Sequence, residues 1–179
     1  MSLQSNCTPR PSVFAADRRA TVLNLDAFLK GQINGPAFFE ENHFTSGMQT
    51  LVDRSFRHLG GAGAGSSVFL LSQAMGGGKT HSMIALGLLA RDPDLRRQVL
   101  GDHDPAPRLG RCRVAGFNGR STDAPGGIWG SIAEQLGKPE QFARYVSPML
   151  TAPGPEAWRQ LLGGEPLVLF LDELPPYLE

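Results

Sequence analysis

Four apolar residues, Val68-Phe69-Leu70-Leu71, lead toward a glycine turn, Gly76-Gly77-Gly78, which opens into Lys79-Thr80 and a stretch apolar nearly all round as far as Arg91. This succession constrains the chain more than any other feature. Ser67 to Ser72 reads as a buried strand and Lys79 to Arg91 as a helix stopped by Asp92-Pro93. A helix without a polar face must be covered on several sides. Between strand and helix, the glycines let backbone N–H groups turn inward around phosphate oxygens, and the helix N-terminus adds partial positive charge.

The consensus phosphate loop is GxxxxGK[ST]. Here the stretch reads Gln73-Ala74-Met75-Gly76-Gly77-Gly78-Lys79-Thr80, so Gln73 stands where the leading glycine belongs. The three glycines remain where the backbone must approach a phosphate. The expected nucleotide-binding set is Met75, Gly76, Gly77, Gly78, Lys79, Thr80 and His81. In this reading Lys79 holds the β- and γ-phosphates of ATP, and the Thr80 hydroxyl ligates Mg2+. The competing reading, a glycine-rich turn with an incidental lysine, does not account for the strand before it and the helix after it.

A second segment complements the first. Leu167-Val168-Leu169-Phe170-Leu171 is an apolar run that ends in Asp172-Glu173. Ligands of parallel sheets gather at the carboxyl ends of strands. Asp172 is thus expected to face the magnesium, and Glu173 to polarise the water that attacks the γ-phosphate. Taken alone, the run reads equally as a strand followed by a solvated acidic turn. An Asp-Glu pair also separates subclasses: small-molecule P-loop kinases usually lack the glutamate, whereas additional-strand ATPases carry it. Asn118 ends another strand candidate, Arg113 to Phe117, and is expected to pair with Glu173 as a third catalytic group. A plain Asn118-Gly119 turn is the alternative.

The remaining elements fit an α/β chain. Asn24 to Lys30 reads as a short helix ended by Gly31, and Pro36-Ala37-Phe38-Phe39 as an aromatic loop. Met48, Leu51, Val52, Phe56 and Leu59 share one helical face, with Ser46 and Gln49 at capping-box spacing and Gly60-Gly61 as the stop. Gly60 to Gly65 reads as a linker rather than a dinucleotide fingerprint, because it precedes a strand. Short helices are expected near Asp94 to Leu100, Ile128 to Leu136, Pro139 to Val146 and Pro155 to Leu162, and an extended lead-in up to Pro11. Strand, helix, strand, helices, strand is the pattern of a three-layer fold with a parallel sheet. The expected division is a lead-in and helical segment over 1–66, packed on a partial P-loop NTPase core over 67–179.

Composition narrows the function classes. Lys plus Arg number 17 and Asp plus Glu 17, so the net charge is zero. That balance argues against a strong electrostatic nucleic-acid binder. Cys7 and Cys112 have neither metal nor disulfide spacing and read as free thiols. The apolar runs are strand-sized, too short for a membrane span, and Met1 to Phe14 holds no signal-peptide run. The expectation is a cytoplasmic protein with no membrane association.

With these residues in view, the chain resembles the large predicted AAA+-type bacterial ATPases of domain-of-unknown-function family four-ninety-nine. The resemblance rests on Cys7-Thr8-Pro9-Arg10-Pro11, Phe38-Phe39 with Thr45-Ser46-Gly47, Met75 to His81, Ile128-Trp129-Gly130 with Gln135-Leu136-Gly137, and Leu171-Asp172-Glu173-Leu174 with Tyr177. The Gly-Gly-Gly-Lys-Thr-His run is its most specific mark. The resemblance implies ATP binding, hydrolysis with Mg2+, and a role beside DNA methylases in phage defence or DNA processing. It brings DNA and defence-complex proteins as expected partners, and a homo-oligomer as an expected assembly. A nucleotide-binding regulatory module without turnover and a small-molecule P-loop kinase are the alternatives.

The additional-strand class orders its strands five-one-four-three-two. The chain ends six residues after Glu173, so the expectation is an ATPase core truncated after its third strand. A gap should then separate Ser67–Ser72 from Leu167–Leu171, and the chain alone should bind ATP weakly and hydrolyse little. Direct pairing of those two strands would favour the kinase-like order instead.

Overall fold

The computed structural model describes residues 23–64, 66–72, 76–120, 124, 126–146 and 151–178. Expectations that fall on Cys7 to Pro11, on Gln73 to Met75 and on the side chain of Tyr177 lie outside the described residues.

Three helices come first: α1 (Leu25–Leu29), α2 (Gly35–Glu41) and α3 (Ser46–Leu59). Asn24 caps α1 by accepting the Ala27 amide hydrogen at 2.8 Å. The expected aromatic loop at Pro36 to Phe39 is instead helical. Asn34 accepts from Ala37 N at 2.9 Å, and Pro36 sits in the first turn, where its missing N–H costs nothing. The cap of α3 also differs from the expected Ser46–Gln49 box. Thr45, one residue earlier, accepts from Met48 N, and Gln49 turns its amide back to the Phe44 carbonyl.

Next come α4 (Lys79–Arg91) and α5 (Pro93–Leu100), joined at Asp92, whose carboxylate accepts from both Asp94 N and Leu95 N. One residue thus ends α4 and starts α5. The strand β1 (Arg113–Asn118) leads to α6 (Gly127–Gln135), α7 (Pro139–Phe142) with a 3₁₀ turn after it, α8 (Pro155–Leu162), β2 (Leu167–Asp172) and a final turn, α9 (Pro175–Leu178).

β1 and β2 pair in parallel, with Arg113 opposite Leu167 and Asn118 opposite Asp172. Side chains alternate across this sheet and feed two apolar clusters. On one face Val114, Val168 and Phe170 join Leu25, Phe28, Phe56 and the buried residues of α4. On the other, Ala115 and Phe117 join Ile132, Leu136, Phe142 and Leu161. α4 is buried from Met83 to Ala90, as an all-apolar helix requires, and packs against α1, α3 and both strands. The described residues therefore form an α/β arrangement with helices on both faces of a small parallel sheet.

The expected strand at Ser67–Ser72 does not form. That stretch has no regular structure, and Val68 and Leu70 are 79% and 89% exposed. A strand needs a neighbour for its N–H and C=O groups, and among the described residues only β1 and β2 pair. Among the described residues no helix is long and apolar enough to cross a membrane.

Candidate functional site

Gly78 caps α4 with φ 78°, a left-handed conformation that glycine adopts without strain, and no side chain caps the helix. Ser82 turns inward, its N–H and hydroxyl both bonding the Gly78 carbonyl. Gly78 has no side chain with which to cap the N–H groups of the first turn. Together with the positive end of a 13-residue helix, they form an anion-receptive end. Gly76 also has a left-handed backbone, at φ 80°, and a side chain added there would point into open space. This glycine serves backbone conformation rather than packing.

The end of β2 meets this turn. The Thr80 hydroxyl donates to Asp172 Oδ2 at 3.1 Å across 92 residues of sequence. The structure thus brings together two of the residues singled out for metal binding, Thr80 and Asp172. Among the described residues no three His, Cys, Asp or Glu side chains cluster as metal ligands. A cation here would rest on one hydroxyl, one carboxylate and the oxygens of a bound phosphate, which suits magnesium, since it keeps few protein ligands. The residues present fit an ATP–magnesium group.

Glu173 follows with φ 47°, the left-handed region that a non-glycine residue seldom occupies. Its carbonyl lies against Gly119, where an added Cβ would come within 2.2 Å of it. Gly119 N donates to the Asp172 carbonyl at 2.8 Å, so the turns after the two strands are joined by backbone. The Glu173 carboxylate pairs with Arg120 at 2.8 Å, with both side chains substantially exposed.

The expected Asn118–Glu173 pair is absent. Asn118 Nδ2 donates to Asp26 Oδ2 at 3.3 Å, and its Oδ1 accepts from Arg120 N at 3.0 Å. Both polar ends of the amide are engaged, one of them in closing the turn. Arg120 stands where Asn118 was expected. Its only sequence signal was its place two residues beyond the end of β1. The His81 ring lies 6.3 Å from the Phe38 ring, which meets Phe39, which in turn meets Phe44. Lys79, Thr80 and His81 are each half-buried, while Gly76 and Gly77 are exposed.

Residues 32–104 match the model of the DUF499 N-terminal domain. The matched stretch runs from the residues before α2 through the glycine turn and α5, and stops before β1. No curated protein and no solved structure matches the chain. Over residues 32–104, this comparison supports the resemblance to the DUF499 family.

Proposed function

We propose that the chain is the nucleotide-binding part of a P-loop NTPase of the additional-strand, AAA+-like type, which binds ATP with magnesium at Gly76 to Thr80. The observation that carries this reading is the 3.1 Å bond between Thr80 and Asp172. It joins an uncapped, glycine-led helix N-terminus to the carboxyl end of a parallel strand, where α/β folds place their ligands. When bound, magnesium would neutralise charge on the phosphate oxygens. The chain's own share is to supply backbone N–H groups and Lys79 toward those oxygens, and to hold Thr80 and Asp172 for the cation. Glu173, one residue beyond Asp172, is the candidate to orient water. The additional-strand type rests on the Asp172-Glu173 pair and the family resemblance; Ser67–Ser72 forms no strand, so its pairing does not separate that order from the kinase-like one. Hydrolysis by the intact parent protein, in phage defence or DNA processing, completes the proposal and rests on the family resemblance alone.

Isothermal titration of the full chain with ATP and magnesium tests the site. Lys79→Ala should abolish binding, and equal affinity in the variant would sink the reading. In the intact parent, Glu173→Gln should keep ATP binding and stop hydrolysis, because orienting water contributes little to ground-state binding. Turnover at the wild-type rate would remove Glu173 from the chemistry. A second reading, a module that binds nucleotide without turnover, is favoured by the Arg120–Glu173 ion pair, which engages the carboxylate. It expects no hydrolysis in the parent even with Glu173 intact.

A further inference from the structure

A cavity of about 640 Å3 opens at the opposite end of the sheet from Thr80 and Asp172. The last turns of α1 and α4 and the start of β1 surround it. Its wall carries four cations, Lys30, Arg91, Arg111 and Arg113, against one carboxylate, Glu165. Arg113 is accounted for: it pairs with Glu165 at 3.1 Å and donates to the Leu136 carbonyl. Arg91 is held in place by the Phe28 carbonyl, 2.9 Å away, and by the Phe28 ring, 4.2 Å beneath its guanidinium. Neither contact neutralises its charge. Among the described residues no carboxylate pairs with Lys30 or Arg111. The negative ends of α1 and α4 offset at most about half a charge each. A positive excess of about two charges therefore remains in a concave, partly desolvated site, within a chain whose net charge is zero.

We propose that this cavity is a second anion site, separate from the turn at Gly76 to Thr80, and that it takes a small phosphorylated molecule. A phosphate monoester carries about −1.5 to −2 charges at neutral pH, which matches the excess. The guanidinium forks of Arg91 and Arg111 suit phosphate oxygens. The volume falls in the range of small-ligand pockets, roughly 300–1,000 Å3, and exceeds what one phosphate alone would fill. Burial and the charge of Arg111 both lower the Arg91 pKa, as expected for two cations that face each other without an anion between them.

The site is tested with inorganic pyrophosphate on the full chain carrying Lys79→Ala, so that the glycine turn does not contribute. Pyrophosphate should bind this variant, weaken as salt is raised, and shift the amide resonances of Gly31 and Cys112. Adding Lys30→Gln and Arg111→Gln, two exposed positions that leave the Phe28 contacts intact, should raise the Kd at least about tenfold, since two charge-assisted bonds are lost. Absence of binding to the Lys79→Ala chain would overturn the proposal. So would amide shifts confined to residues 76–81, or an unchanged Kd in the triple variant. A single-stranded oligonucleotide that binds more than tenfold tighter as its length doubles would reassign the cations to a nucleic-acid backbone and likewise overturn it. Because Lys79 is already replaced, failure here leaves the ATP reading standing, and failure of the ATP reading leaves this one standing.

Discussion

Glu173 is the only non-glycine residue with positive φ among the described residues. Such a backbone costs about 1–2 kcal/mol, so something must hold it. Gly119 does so from the neighbouring strand end, with its N–H on the Asp172 carbonyl and its missing side chain leaving room for the Glu173 carbonyl. Gly119→Ala should therefore destabilise the fold by about 1–3 kcal/mol, read as a lowered urea midpoint. An unchanged midpoint would mean the two turns are not in contact. The chemistry at this corner was legible in part. That Thr80 and Asp172 come together was readable, because a helix after a glycine turn and the acidic end of a parallel strand open on the same side of such a sheet. Asn118 was not, because a turn asparagine chooses its partners from whatever the fold brings near. Here that is Asp26, 92 positions away.

Among the elements, α4 was legible to the residue, since Gly78 at one end and Asp92-Pro93 at the other are backbone signals that need no tertiary context. Ser67–Ser72 was misread for the opposite reason. An apolar run states a preference for burial, whereas a strand also needs an edge to pair with. β1 shows how such an edge is managed. At the buried Gly116 one side chain serves both backbone groups, as Gln135 Oε1 accepts from Gly116 N at 3.0 Å and Gln135 Nε2 donates to its carbonyl at 2.8 Å. The glutamine amide replaces a missing strand at that position, which gives a physical role to the Gln135-Leu136-Gly137 run. Gln135→Leu should leave both backbone groups without partners and cost about 1–3 kcal/mol. Thermal unfolding measures it, and a Tm unchanged from the parent would show that water serves the edge equally well.

At the scale of the whole molecule, helices on both faces of a parallel sheet followed from the order of apolar runs. The buried ion pair Arg96–Asp104 did not, because charged residues in a polar, proline-rich stretch read as loop surface. Arg96 Nε meets Asp104 Oδ2 at 3.0 Å, the guanidinium also bonds the carbonyls of Ala106 and Leu109, and its Cζ lies 4.9 Å from the centre of the Phe56 ring. It stitches the segment after α5 to the core through one side chain. Arg96→Met should cost about 3–5 kcal/mol by stranding Asp104 in the interior. Much of that loss should return when Asp104→Leu is added, and a double variant no more stable than the single would refute the pairing as its cause. The two-stranded sheet has a further consequence for how the molecule opens. Val114 belongs to one apolar cluster while Ala115 and Phe117 belong to the other, so the same short strand walls both. Neither half can loosen without withdrawing support from its opposite. In native-state hydrogen exchange the amides of Ala115 and Phe117 should open only with the entire molecule, while α3 and α8, each lying against a single cluster, fray earlier on their outer faces.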